Sequence, residues 1–312
     1  MNKSTKSQLK ELHPQVKFDE PLSQHSTFHI GGPADAFVEI KNFTETPPYQ
    51  NLKDLITFCK TNSLPYRIIG GGSNILFHDK GFRGLIIKLT ANTTTITKNR
   101  LTAEAGTPLA LAIIKAEKQG FPNLTPLKGI PGTVGGAVRG NAGARGMEIK
   151  QALLEAEIFN PKTNRITTAT PASLQLSYRS SKLKTDGRIV LKAHFRLSKR
   201  KPALAADPIS WRLQNQPGGH SAGSFFKNPA QPANADHPFS AGYLIDQCGL
   251  KGHQLGQAKI SDKHANFFQN IGTQKSPATQ KDVLALAKLA KKRVQSKFKI
   301  TLEEEVQIIP QK

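Results

Sequence analysis

The sequence predicts a mixed α+β or α/β protein with more than one domain, and three observations carry that expectation. Short β-rich runs alternate with amphipathic helices along most of the chain. Two glycine-dense segments interrupt the apolar runs, and a length of 312 residues leaves room for two or three cores. Only 37% of the residues are hydrophobic, yet apolar runs recur throughout, which argues against disorder beyond the ends.

Residues 51–62 (NLKDLITFCKTN) put Leu52, Leu55, Ile56 and Cys59 on one helical face, with Asn51 placed to cap it. PYRIIGGGSNIL then reads as a short strand breaking into a glycine turn, and GLIIKL (84–89) as a second strand. Residues 107–120 carry helix punctuation: Thr107 as cap, Pro108 at the first helical position, Gly120 at the end. LLEAEIFN (153–160), RITTAT (165–170) and IVLKAHFRL (189–197) are strand-like. From KRKPALAADP the composition turns polar and proline-rich, which places a boundary near residue 200.

Beyond that boundary, residues 280–298 align Val283, Leu286, Ala287, Ala290, Val294 and Phe298 on one helical face, with Thr279 as cap. The lysines of this helix read as a solvated face over an ordinary core stripe. The chain closes on a strand-like ITLEEEVQIIP.

Several function classes are set aside by what the chain carries. Nothing approaches the roughly 18–20 continuous apolar residues of a membrane helix, and no apolar stretch follows the charged start MNKSTKSQLKELH, so no secretory signal is read. Two isolated cysteines, Cys59 and Cys248, suit neither a disulfide scaffold nor a zinc site, and His264 lacks metal-like partner spacing. No metal is expected, and a soluble cytoplasmic protein is. The net charge of +22 raises nucleic acid as a partner. The basic residues are spread rather than clustered, however, and no zinc-finger, basic-zipper or RNA-recognition signature accompanies them, so a nucleic-acid role is not expected.

The glycine segments are the candidate binding elements. Gly70, Gly71 and Gly72 precede Ser73 and Asn74; GIPGTVGGAVRGNAGARG (129–146) holds seven glycines in eighteen positions. Glycine-rich backbone can turn successive N–H groups toward an anion, with Ser73, Asn74, Thr133 or Asn141 adding donors. Neither segment fits the P-loop or the GxGxxG dinucleotide template. Tight turns or close packing explain each alone equally well; the two together favour a large diphosphate cofactor.

The order of motifs then becomes specific: HSTFHIGGPAD (25–35), YRIIGGGSNIL (66–76), LKGIPGTVGGAVRGNAGARG (127–146), LSYRSS (176–181), AGSFFKNP (222–229), GLKGHQLGQAKISDKHANFFQN (249–270) and LEEEV (302–306). Over roughly residues 20–310 the chain closely resembles the UDP-N-acetylenolpyruvoylglucosamine reductases, flavoenzymes of peptidoglycan precursor synthesis. The short KLKTDGR between SYRSS and IVLKAHF matches the compact form of that family.

The resemblance implies an α+β fold: an FAD-binding unit of the vanillyl-alcohol-oxidase (PCMH) type made of two subdomains, then a C-terminal α+β substrate-binding domain. The expected divisions are 1–90, 91–200 and 201–312, with the last strand able to return to the FAD unit. It implies non-covalent FAD, since GGGSN offers no histidine or cysteine for a covalent link. The cofactor residues would be Gly70, Gly71, Gly72, Ser73, Asn74, Thr133, Gly135, Gly136, Asn141 and Gly143. It further implies NADPH as co-substrate and a UDP-sugar enolpyruvate as substrate, with a monomer as the working unit.

Arg179 matches the family's catalytic arginine, whose planar fork suits a carboxylate. Ser224 matches its proton donor, and Glu305, the glutamate before valine, its acidic partner. Tyr178, Lys227 and Asn228 would contact substrate; Lys263, His264 and Asn266 could equally fix a loop. Another FAD-dependent oxidoreductase of the same fold is the alternative reading.

Overall fold

The strand runs read from the sequence form sheets whose inward residues alternate as a two-residue period requires. In Ile189–Arg196, for example, Leu191, Ala193 and Phe195 are buried while Lys192, His194 and Arg196 point away. The computed structural model describes residues 1–43, 49–230 and 239–311. These form two compact units. Met1–Asp19, Asp35–Gly71 and Gly84–Trp211 make the first; Glu20–Ala34, Gly72–Arg83 and Arg212–Lys312 make the second.

The first unit is built on two sheets. One is ordered β1-β2-β5-β3, from Lys17–Pro21 (β1), Pro33–Ile40 (β2), Tyr66–Ile69 (β3) and Phe82–Leu89 (β5), with β3 parallel to β5. The other is ordered β11-β10-β12-β7-β6, from Thr94–Thr97 (β6), Arg100–Glu104 (β7), Leu153–Asn160 (β10), Arg165–Ala169 (β11) and Ile189–Arg196 (β12). A small ribbon of Gly143–Ala144 (β8) and Met147–Glu148 (β9) stands apart. Helices Lys3–Leu12 (α1), Gln50–Thr61 (α2), Leu109–Lys118 (α3) and Val134–Gly140 (α4) accompany these sheets. One core collects Leu55, Ile87, Leu101, Ile113, Val138, Ile158 and Leu191 among others. Each such side chain contributes about 1.5–3 kcal/mol by leaving water.

The second unit carries a four-stranded sheet ordered β13-β16-β15-β14, from His220–Ser224 (β13), Gln254–Leu255 (β14), Ala258–Ile260 (β15) and Phe267–Asn270 (β16). Gln307–Ile309 (β17) pairs in parallel with Ile75–Phe77 (β4), Gln307 opposite Ile75. Helices Ala241–Gln247 (α6) and Gln280–Phe298 (α7) belong here, and Pro208–Asn215 (α5) crosses the boundary between the units. The separate core is aromatic at its centre, with Phe225 stacked on Phe268 and Phe226 edge-on to both.

The elements named from sequence form, with three differences at the ends. Helix α2 begins at Gln50 under Tyr49, which sits in the left-handed region (φ 65°) and caps without its side chain, so Asn51 lies inside the helix. Pro108, not Thr107, is the cap of α3, while Gly120 does follow its end with φ +82°. The segment 300–310 is regular strand only over Gln307–Ile309, with Glu304 in an isolated bridge to Phe226. Helix α7 matches its reading: Thr279 accepts from Asp282 N in a capping box, and Val283, Leu286, Ala287, Ala290 and Val294 are buried.

Candidate functional site

In the first unit the two glycine segments meet. A Cβ on Gly70 would lie 2.4 Å from Thr133 Oγ1, so that position needs a bare backbone for the loops to touch, and one on Gly71 would lie 3.3 Å from the Gly132 Cα, a tight fit. The longer segment is not an open loop. Thr133 accepts from Gly136 N and starts the seven-residue helix α4, and Asn141, left-handed with φ 43°, ends it. Its first-turn donors are already engaged: Val134 N bonds to Thr107 O (2.9 Å), Gly135 N to Ala105 O (2.9 Å) and Ala137 N to Thr133 O (2.8 Å). What this turn offers a ligand is therefore close approach, not a fan of free amides.

That approach is directional. A Cβ on Gly135 would press on the Ala105 Cβ at 2.8 Å, which makes Gly135 a packing position. A Cβ on Gly136 would meet only Thr133 Oγ1 at 3.6 Å, and one on Gly140 nothing within 4 Å. Gly136 and Gly140 are four residues apart, so they share one helix face. Their open, side-chain-free backbone fits a large flat cofactor such as FAD. In the sequence Gly140 is one of the seven glycines of 129–146, with nothing to separate it from its neighbours except its i, i+4 relation to Gly136.

Asn141 is fully buried and its side chain is committed to the protein. Its Nδ2 donates to Glu148 Oε2 (3.1 Å) and Ser177 O (2.9 Å), and its Oδ1 accepts from Lys150 N (3.0 Å). Through Ser177 it fixes the tight turn 177–180, closed by reciprocal Ser177–Ser180 backbone bonds, in which Arg179 has φ 52°. Arg179 Nη2 donates to Gly143 O (2.9 Å), its guanidinium lies over the Tyr178 ring, and Lys184 Nζ holds its carbonyl (2.7 Å). The structure thus brings Asn141, Gly143, Tyr178 and Arg179 together. It adds Glu148, which sequence reasoning missed: burial would raise its carboxyl, but hydrogen bonds from Lys150 and Asn141 and the charges of Lys150 and Arg179 hold it below its ordinary value.

The second unit gathers the other group. Ser224 ends β13 opposite Phe267, directly after Gly223 with φ +76°. The residues that follow are clamped on both sides. Asn266, nearly fully buried, accepts from Phe226 N at Oδ1 (2.9 Å) and donates from Nδ2 to Phe226 O (2.8 Å), while its carbonyl takes Phe225 N (2.7 Å). From the other side Glu305 N donates to Phe225 O (2.8 Å) and Lys227 N to Glu303 O (2.9 Å). Asn74 joins this clamp, its Nδ2 donating to Glu305 O (3.1 Å) and its carbonyl accepting Gln307 N (3.0 Å). Gly72 is sterically required, with φ +67° and its absent Cβ 2.0 Å from His25 O. Ser73 stands between Gly72 and Asn74 in the same short turn.

The three glutamates separate clearly. Glu303 pairs with Lys227 (3.0 Å) and Glu304 with Lys291 (2.9 Å), while the Glu305 backbone bonds to Phe225 and Asn74. The Lys227–Glu303 pair is an exposed one, worth under about 1 kcal/mol, so Lys227 can exchange this partner for a ligand anion. Asn228 Oδ1 accepts from Ala241 N at the start of α6 (3.1 Å). A cavity of about 170 Å³ beside α6 is lined by Tyr243, Asp246, Lys251, Lys263 and His264, with burial pulling the His264 imidazole below its ordinary value. Among the described residues no group of three or more His, Cys, Asp or Glu could hold a metal, and no helix is long and apolar enough to cross a membrane.

Comparison with known proteins agrees with both halves of this description. Residues 48–169 match an FAD binding domain family, and residues 214–309 match the C-terminal domain of UDP-N-acetylenolpyruvoylglucosamine reductase. Such a pairing on an α+β frame defines a flavin-dependent oxidoreductase that holds FAD. The chain is 36% identical over 308 residues to UDP-N-acetylenolpyruvoylglucosamine reductase of Rubrobacter xylanophilus, spanning 96% of this chain and 97% of that protein. It is 38% identical over 305 residues to the same enzyme of Halalkalibacterium halodurans, spanning 95% and 94%. The crystal structure of UDP-N-acetylenolpyruvylglucosamine reductase from Thermus caldophilus aligns with a TM-score of 0.73 at 32% identity, over 95% of this chain and 98% of that one. The chain belongs to the UDP-N-acetylenolpyruvoylglucosamine reductase family.

Proposed function

We propose that this chain catalyses the NADPH-dependent reduction of UDP-N-acetylglucosamine enolpyruvate to UDP-N-acetylmuramate, a step of peptidoglycan precursor synthesis. The observation that carries the reading is the clamp beside Ser224: Asn266 and the 303–306 segment pin Phe225, Phe226 and Lys227, the residues directly after it, and β13 pairs Ser224 with Phe267, as a proton donor that must not wander requires. Residues 201–312 are assigned the substrate role and the segments 1–90 and 91–200 the cofactor role. Soluble anionic substrates place the reaction in the cytoplasm, with one chain supplying all the motif residues.

Bound FAD supplies the hydride acceptor and donor that no side chain can provide. Gly136 and Gly140 would let it approach the α4 backbone, and the contacts of Gly70 and Gly71 with Thr133 and Gly132 would keep the two glycine loops together beside it. The positive charge of Arg179 holds the substrate carboxylate and offsets the negative charge that develops beside it once the alkene carbon is reduced. The Ser224 hydroxyl then gives its proton to the carbon next to that carboxylate; Glu305, as the carboxylic acid, reprotonates the serine alkoxide and takes its own replacement proton from solvent water. A free serine is a weak acid, but an enolate is basic enough to take its proton at a fixed distance, and such a donor is typically worth about 10²–10⁴ in rate. Tyr178, Lys227 and Asn228 bind the substrate's sugar and phosphate groups, and Lys251 and Lys263 around the α6 cavity attract its diphosphate.

The test is a yellow purified protein whose oxidation of NADPH depends on UDP-N-acetylglucosamine enolpyruvate. In Ser224→Ala, rapid mixing is expected to show normal flavin reduction by NADPH and reoxidation by substrate slowed at least 100-fold or so. In the glutamate series, E303Q and E304Q are expected to keep activity and E305Q to lose it. Substrate-independent NADPH oxidation, or normal reoxidation in Ser224→Ala, would overturn the assignment.

A further inference from the structure

The polar stretch that leads into α5 is fastened to the glycine segment at both of that segment's ends. Lys128, the residue before Gly129, is half-buried and its Nζ reaches Asp207 Oδ2 at 2.6 Å and Glu117 Oε2 at 3.2 Å. Burial alone would pull this ammonium down, but hydrogen bonds to Asp207 and Glu117 and their charges raise it, while the Lys128 contact lowers the Asp207 carboxyl. Asp207 is doubly used, since its Oδ1 also accepts from Ile209 N (3.0 Å) and Ser210 N (3.2 Å) and so starts α5. One residue on, a Cβ at Gly129 would lie 2.8 Å from Pro208 O, so backbone lies directly on backbone. At the far end Arg145 Nη1 donates to Ala206 O (3.4 Å) and its guanidinium stacks over the Trp211 ring at 4.7 Å.

Two cations bracketing residues 129–144 thus grip one six-residue stretch, and all of these contacts lie within the first unit. A chance surface crossing would not place a half-buried, doubly paired lysine at one end and a stacked arginine at the other. Resting on the reading that the glycine segment holds FAD, we propose that residues 206–211 are a strap that keeps this segment in its flavin-binding shape, with Lys128 and Arg145 as positioning residues. The physical need is plain. A helix of seven residues containing glycines at 135, 136 and 140 has little stability of its own. Its shape must be supplied by contacts outside it: Thr107 and Ala105 hold its first turn, and the strap holds the segment at the two points where it enters and leaves.

Trp211 is the only tryptophan of the chain and therefore reports on the strap directly. The experiment titrates FAD into flavin-stripped protein and follows both Trp211 emission and flavin fluorescence. Wild-type protein is expected to bind FAD, and Lys128→Met to bind it about tenfold more weakly, a change of ~1.4 kcal/mol. Lys128→Arg, which keeps the cation, is expected to restore most of that affinity. Asp207→Asn serves as the second variant should Lys128→Met fold poorly, with the same direction of effect. Added salt should weaken FAD binding more steeply in wild type than in Lys128→Met, because the latch is ionic. If wild-type protein does not bind FAD, the underlying reading falls with the strap. If wild type binds and neither variant changes affinity, the strap alone falls. Loss of stability in the flavin-free variants as large as the loss of FAD binding would also overturn it, since the contacts would then serve only the fold.

Discussion

At the scale of single residues, glycine serves three different needs in this protein, and the structure tells them apart. Gly72 satisfies a left-handed backbone under the His25 carbonyl, Gly135 satisfies contact with Ala105, and Gly136 satisfies neither. A side chain at Gly136 would project into open space, so no packing contact within the protein requires a bare backbone there. Gly136→Val is therefore expected to fold, with a thermal midpoint within a few degrees of wild type before FAD is added, and to purify colourless. Gly135→Val is expected to lose stability itself, by about 1–3 kcal/mol, as an overpacked core position does. Absorbance near the flavin bands and thermal melts of the two stripped proteins separate these outcomes; tight FAD binding in Gly136→Val would count against the cofactor assignment. Asn141 is a contrasting case. Its amide fastens Glu148, Lys150 and Ser177, so it acts on the Arg179 turn.

Among elements, those with their own periodicity were legible and those defined by distant partners were not. Helix α7 announced itself through a capping box and a buried stripe, and β10 and β12 through their alternation, because each signal lies within one stretch of chain. The start of α2 was misplaced because Tyr49 is held by Glu157, 108 residues away. Helix α4 is not legible in the sequence because glycine opposes helix formation and contacts from distant parts of the chain, those with Ala105 and Thr107 among them, offset that. Of the proposed catalytic residues, Ser224, Glu305 and Arg179 are named by short motifs, whereas Glu148, the Lys128 latch and the Asn266 clamp depend on pairings that no local pattern encodes. The Tyr49–Glu157 contact also gives a pH prediction. Glu157 is pulled to about 2, first by His194, then, against the opposing effect of burial, by Tyr49 and Lys192. Since its folded value is depressed from 4.5, the stability it lends is complete above about pH 5 and is lost as pH falls toward 2. Urea melts should show Glu157→Gln less stable than wild type by about 1–2 kcal/mol at pH 7, with the difference closing near pH 2. A gap independent of pH would assign the effect to packing instead.

For the whole molecule the unexplained quantity is the charge, +22 over 312 residues. Lysines contribute to specific contacts at Lys128, Lys227 and Lys291, but most of the excess lies on exposed faces such as Lys281, Lys288 and Lys292 along α7. Two anionic substrates, NADPH and a UDP-sugar, must reach the enzyme in turn, and a positive field accelerates the encounter of both. This effect acts on association and is screened beyond a Debye length of about 10 Å at 0.1 M salt. It therefore predicts a particular pattern: kcat/KM for each substrate falls several-fold, about 3–10 times, between roughly 20 mM and 300 mM salt, while kcat stays nearly constant. Steady-state kinetics over that range decide it. If the charge serves solubility alone, kcat/KM will be flat once the contacts of the site itself are saturated. If kcat falls as well, salt is loosening the flavin rather than slowing encounter, and adding excess FAD should then restore the rate.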